Sequence, residues 1–165
     1  MNEPLAEMFR YNRWATLTLI DACRALSDEQ LAARLPGCSG SVRETLLHLV
    51  GGQQTFVLRT RGRQHEGELN RSSGWPGFET LRAIAAESSE ALIAIAEQLD
   101  QGRDVDLPYA GKRYRFPVAF FLVHALEHGV EHRTEIKLAL AQIGVVTPDL
   151  DGWQYAESQD YGREL

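Results

Sequence analysis

The chain of 165 residues holds five histidines, and three of them, His124, His128 and His132, stand four residues apart. On an α-helix, side chains at that spacing lie one above another on nearly one face, drifting about 40° per step. Two imidazoles so placed can close on one ion about 2 Å from each nitrogen, the device of helical zinc motifs. The triple offers two such clamps; a polar groove or ordinary buried hydrogen bonds would also account for it. His48 stands apart, in Leu46-Leu47-His48-Leu49-Val50, among residues that read as core. Alone it would be a satisfied interior histidine. Facing a metal clamp on another helix, it is what a third ligand would look like. Gly51 and Gly52, about one turn further on, leave room for a ligand or another backbone, or simply for tight packing or a bend.

The stretches His124-Ala125-Leu126-Glu127-His128 and His128-Gly129-Val130-Glu131-His132 both fit H-x-x-E-H, the signature of inverted metalloproteases. The H-E-x-x-H order fails because Gly129 follows His128, and the protease reading is set aside as an accidental match. Glu44, Glu127, Glu131 and Glu135 are candidates to orient the ligand rings, against the plainer reading of solvated surface charge. Tyr109, Arg113, Tyr114 and Arg115 precede the histidine-bearing segment, either as donors covering the site or as a surface loop. Tyr11, Trp14, Trp75 and Trp153 read as core, and His65, in a polar loop, needs no special role.

Four long helices are expected to position these groups. Apolar residues from Pro4 to Ala25 recur at three- and four-residue spacing. Ser27 and Gln30 form a capping box for a short turn of helix, and Ser41 and Glu44 form another that opens a helix from Val42 to about Arg59. After a polar loop over Thr60–Gly77, an alanine- and leucine-rich helix spans Phe78–Leu99. Alternating residues around Tyr109-Ala110-Gly111-Lys112 suggest a short hairpin or an ordered loop. Pro117 suits the first turn of a helix reaching Ile143, with Gly144 as its stop. Thr147-Pro148 begins a last short helix or turn. The expected fold is all-α, a single four-helix bundle domain over residues 1–165, its order either up-down or crossed.

With 44% hydrophobic residues and a formal net charge of −6, the chain can bury a sizeable core and is a poor general binder of phosphate backbones. No nucleic-acid partner is expected. Cys23 and Cys38 form no CxxC pair, and no stretch reads as a signal or a membrane span, so a cytoplasmic protein without a membrane partner is expected. A fold that does not need a metal for stability leaves any metal free for chemistry.

Three segments, in order, resemble the DinB/YfiT-like family of small metal-dependent proteins. They are Tyr11-Asn12-Arg13-Trp14-Ala15, then Gly40-Ser41-Val42-Arg43-Glu44-Thr45-Leu46-Leu47-His48, then His124-x-x-x-His128-x-x-x-His132-Arg133. The ending Gly144-Val145-Val146-Thr147-Pro148-Asp149 is also similar. The resemblance covers nearly the whole chain and implies a four-helix bundle, a homodimer, and a divalent metal held by His48, His128 and His132. His124 would be a neighbour on the same stripe. Glu127 stands where the family commonly has an amide, and Thr134-Glu135 where it has a glycine-glutamine pair, which implies a more acidic pocket.

Three neutral imidazoles suit zinc, nickel or iron, with zinc favoured, and leave a position for water or substrate. The resulting expectation is a metal-dependent enzyme acting on a small molecule, a thiol-dependent transferase or a hydrolase, with a low-molecular-weight thiol as partner and no assigned catalytic base. Two other readings stand beside it: a non-enzymatic metal-binding stress-response module, and a helical protein whose histidines are structural.

Overall fold

The computed structural model describes residues 2–64, 69–100 and 102–162. His65 lies outside them. Six helices and one two-stranded sheet make up the described fold: α1 (Glu3–Cys23), α2 (Asp28–Ala32), α3 (Val42–Arg59), α4 (Phe78–Glu97), β1 (Asp104–Tyr109), β2 (Lys112–Pro117), α5 (Val118–Gln142) and α6 (Gly152–Ser158). Among the described residues, no helix is long and apolar enough to cross a membrane.

Local chemistry sets the helix ends. Asn2 caps α1, with Pro4 in its first turn. Both capping boxes form, Ser27 with Gln30 at α2 and Ser41 with Glu44 at α3. The hairpin forms in full: β1 and β2 pair antiparallel from Asp104↔Pro117 to Tyr109↔Lys112. Its two-residue turn puts Ala110 and Gly111 at φ 48° and 75°, the left-handed pair that matches strand twist. Pro117, expected inside the helix, instead ends β2 with extended backbone and serves as the N-cap position. The adjoining Val118 N–H donates to the Arg103 carbonyl at 2.9 Å, so the hairpin runs directly into α5. The last helix begins at Gly152, capped by Asp151, rather than at Thr147-Pro148.

Among the long helices, α1 packs mainly on α4 and α5, and α3 mainly on α5 and α4. The chain neighbours α1 and α3, like α4 and α5, are not principal partners, so the connections carrying α2 and the hairpin cross the molecule. Two apolar clusters result. One joins Leu19, Ile20, Leu46, Leu81, Ile136 and Leu140; the other joins Phe9, Phe56, Leu92, Val118, Phe121 and Leu122. Trp14 and Trp75 pack against the first cluster as expected, whereas Trp153 is 80% exposed on the short α6 and belongs to neither.

Every long helix carries buried polar residues at the level where one cluster gives way to the other: Asn12 and Thr16 on α1, Gln53 on α3, Ser88 and Ser89 on α4, and His128, His132 and Arg133 on α5. Arg133, 3% exposed, donates through Nη1 to Asn12 Oδ1 at 2.7 Å and Thr16 Oγ1 at 2.9 Å. Burial pushes its guanidinium down to about 10, which still leaves it charged near neutral pH. Gly129 fits beneath it because an added Cβ would lie 2.4 Å from Asn12 Oδ1. Gln53 Nε2 donates to Ser89 Oγ at 3.2 Å, joining α3 to α4. Leaving a buried donor unpaired costs about 1–3 kcal/mol, and more when the donor is charged. Asn12→Ala should therefore lower the urea midpoint by a corresponding amount, with the slope of the transition unchanged.

Candidate metal centre

The sequence of α5 places buried residues at 118, 121, 122, 125, 128, 129, 132, 133, 136, 139 and 140, a core-facing stripe. His128 and His132 occupy core positions of that stripe. His48 is half-buried on α3, which packs directly on α5. The three rings meet. His48 lies 4.9 Å from His128 and 4.6 Å from His132 between centroids, and His128 lies 4.4 Å from His132. One nitrogen from each ring can be chosen so that all three lie within 4.8 Å of one another.

The donor set fits a divalent ion. His48 Nε2 and His128 Nε2 are 3.3 Å apart. Two donors at about 2.0–2.1 Å from one ion at a tetrahedral angle would stand roughly 3.4 Å apart. Gly52, one turn after His48, makes the approach possible, since a Cβ there would sit 2.3 Å from His128 Cε1. Gly51 answers a different contact: its Cβ would meet the Leu69 carbonyl oxygen of the following loop.

Protonation also favours metal binding. Burial, followed by the positive charge of Arg71 and then His132, lowers His48 to about 4. Burial, then His132 and His48, lowers His128 to about 3. Both rings are neutral near pH 7. His128 Nδ1 is buried with no hydrogen-bond partner among the described residues. His132 Nδ1 lies 2.9 Å from Glu135 Oε2. Burial raises the Glu135 pKa, but hydrogen bonds from Ser39 and His132 outweigh it and the net shift is downward. An ionised carboxylate only accepts, so His132 donates to it through Nδ1, and Nε2 is the nitrogen turned away from Glu135. Ser39 fixes the carboxylate in turn, its N–H and its hydroxyl both donating to Glu135 Oε1, the hydroxyl at 2.6 Å.

Of the four glutamates singled out in the sequence, only Glu135 touches a candidate ligand. Glu44 closes the capping box and pairs with Arg34. Glu127 and Glu131 are exposed. His124 drifts off the stripe toward the hairpin, 4.7 Å from Phe56 and 6.5 Å from His128 between centroids. There it lines an apolar cavity of about 340 Å³ with Tyr109, Phe116, Phe120 and Phe121. On the hairpin, Arg115 pairs with Asp106 and Tyr114 packs on Tyr109, so these three are engaged with the hairpin itself. Sequence reasoning did not single out Ser39 or Arg71. Both lie in irregular segments, where no periodicity tells which side chains turn toward α5.

The chain belongs to the DinB family, whose model matches residues 1–164. Among solved structures it is similar to a DinB-like protein, YjoA, from Bacillus subtilis, with a TM-score of 0.61 and 19% identity. That match covers 90% of this chain and 98% of the other. At such identity the likeness speaks for the fold alone. No curated protein matches the chain.

The histidine shifts set a pH dependence. The unfolded chain binds protons on these rings around the ordinary value of 6.5, while the folded chain resists until about 4 and about 3. Stability of the metal-free protein should be full above that ordinary value and fall as pH drops below it, because the unfolded state then binds more protons. Thermal unfolding in chelator at about pH 7.5 and about pH 5.5 measures this; Tm should be lower at the acid value. The drop should shrink in the doubly substituted His48→Gln, His128→Gln protein.

Proposed function

We propose that the protein is a divalent-metal-dependent enzyme acting on a small molecule, with His48, His128 and His132 as ligands through three neutral imidazole nitrogens. One observation carries the reading: ring nitrogens from two helices converge within 4.8 Å in the polar layer between the two apolar clusters. Zinc is the favoured ion, with nickel and iron compatible with the same donors. Three protein ligands leave a coordination position for a reactant, as catalytic rather than structural sites do. When bound, a zinc-type ion supplies Lewis acidity that lowers the pKa of water or a thiol brought to it.

The surrounding residues do the positioning. Glu135 accepts the His132 Nδ1 proton, which fixes the tautomer and makes Nε2 a better donor. Ser39 holds that carboxylate in place. Gly52 gives His128 its room. Thiol transfer to a small electrophile is the favoured chemistry, and hydrolysis the second use of the same site. The four-helix-bundle reading of the fold belongs to this proposal, as does a homodimer. Support for the dimer comes from Phe120, Val123, Val130 and Leu138, all 48–64% exposed on α5 and within about 80° of one face.

Untagged protein reloaded separately with zinc, nickel and ferrous iron, then analysed by mass spectrometry for metal, tests the reading. About one ion per chain should be retained with at least one of these metals. His48→Ala should lose it, and Glu135→Gln should weaken affinity by about 10–100-fold. Retention unaffected by His48→Ala would sink the proposal. Thiol consumption against a panel of electrophiles then separates an enzyme from a metal-binding module, which would bind without turnover.

A further inference from the structure

Residues 69–71, between α3 and α4, lie along the His48 face of α3. The Leu69 carbonyl meets the helix at Gly51, about one turn after His48. Two residues on, Arg71 Nη1 lies 3.3 Å from Thr45 Oγ1, about one turn before His48. The segment 69–71 therefore spans the helix past His48 and delivers a guanidinium to the edge of the three-histidine cluster.

Among the described residues Arg71 makes no direct ion pair, although its charge helps lower the Glu44 pKa. Its hydrogen bonds among the described residues are both to hydroxyls, Thr45 Oγ1 and, through Nη2 at 2.7 Å, Ser39 Oγ. A guanidinium has five N–H donors, and two of them are taken by described residues. Among the described residues, no carboxylate oxygen lies within 4.0 Å of it. The carboxylates in its neighbourhood are committed elsewhere. Glu44 accepts from the Ser41 N–H and pairs with Arg34, and Glu135 is held by Ser39 and His132. Arg71 also lines a cleft of about 380 Å³ with Arg34, Arg43, Glu44 and Trp75, three cations against one carboxylate. Arg43 sits over the Trp75 ring at 5.5 Å.

We propose that Arg71 is the anion-binding residue of this centre, selecting a substrate or co-substrate that carries a carboxylate, sulfonate or phosphate beside the group that meets the metal. The inference rests on the metal-and-thiol reading above. A planar guanidinium with free N–H pairs binds such oxyanions in a bidentate manner, and it needs no proton transfer to stay charged. The Ser39 hydroxyl donates to Glu135 while accepting from Arg71, so anion binding at Arg71 and ring orientation at His132 share one serine.

Anaerobic titration of the cobalt(II)-loaded protein with two thiols of similar reach and acidity, 2-mercaptoethanesulfonate and 2-mercaptoethanol, tests this through the sulfur-to-cobalt charge-transfer band. The wild-type protein should bind the sulfonate about tenfold more tightly, a preference worth about 1.4 kcal/mol. In Arg71→Gln the preference should fall to about twofold or less with 2-mercaptoethanol affinity unchanged, and Arg71→Lys should retain part of it. Equal affinities in the wild-type protein overturn the inference while leaving the metal-and-thiol reading standing. So does an equal loss of both thiols in Arg71→Gln, which would make Arg71 a positioning residue for the histidines. Absence of cobalt binding, or of any thiolate band, overturns that reading and this inference together.

Discussion

The structure turns on a buried polar layer where the two apolar clusters of the long helices meet. Arg133 is tied to Asn12 and Thr16, Gln53 to Ser89, and His48, His128 and His132 crowd one another. Such a layer is costly. A buried polar group left unpaired costs about 1–3 kcal/mol, and His128 Nδ1, Gln53 Oε1 and Arg133 Nη2 have no partner among the described residues. Leucine at the same positions would pack without that cost. A chain able to build an apolar core on either side, yet polar between, has the pattern expected where function overrides stability.

The remaining elements serve that layer. The crossed connections put α3 and α5 side by side although the whole of α4 and the hairpin separate them in sequence, and this adjacency brings His48 to His128 and His132. Glycine is used where two elements must approach without a side chain: Gly52 under His128, Gly129 under Asn12 and Arg133, Gly51 under the Leu69 carbonyl. The asymmetry of the three rings follows from their partners. His132 is oriented by an ionised carboxylate, whereas His128 is held chiefly by packing and by exclusion of water.

Much of this was legible in the sequence because it rests on local rules. Both capping boxes, the long helices and the i, i+4 histidine pair depend on spacings of three and four residues, which a helix converts directly into geometry. His48 was legible as a polar interruption in an apolar run. Long-range partners were less so. Glu135 was one of four glutamates with equal claims, and only the fold shows that it alone reaches a histidine. Ser39 and Arg71 lie in irregular segments, and Arg133 gives no sign on its own that Asn12 and Thr16 will receive it. Pro117 fits the first turn of a helix or the end of a strand equally well, and the hairpin's pairing decides for the strand. Trp153 reads as core rather than site in the sequence, but the seven-residue α6 buries Tyr155 and leaves Trp153 exposed.

The central claim is that three imidazoles, His48, His128 and His132, hold one divalent ion and leave a position open. X-ray absorption at the zinc edge of the zinc-loaded, untagged protein tests it most directly. The account predicts three imidazole nitrogens at about 2.0–2.1 Å, with the outer-shell scattering of their rings, and a further non-protein oxygen or nitrogen donor. A spectrum with fewer than three imidazoles, or with four protein ligands closing the site, would contradict it.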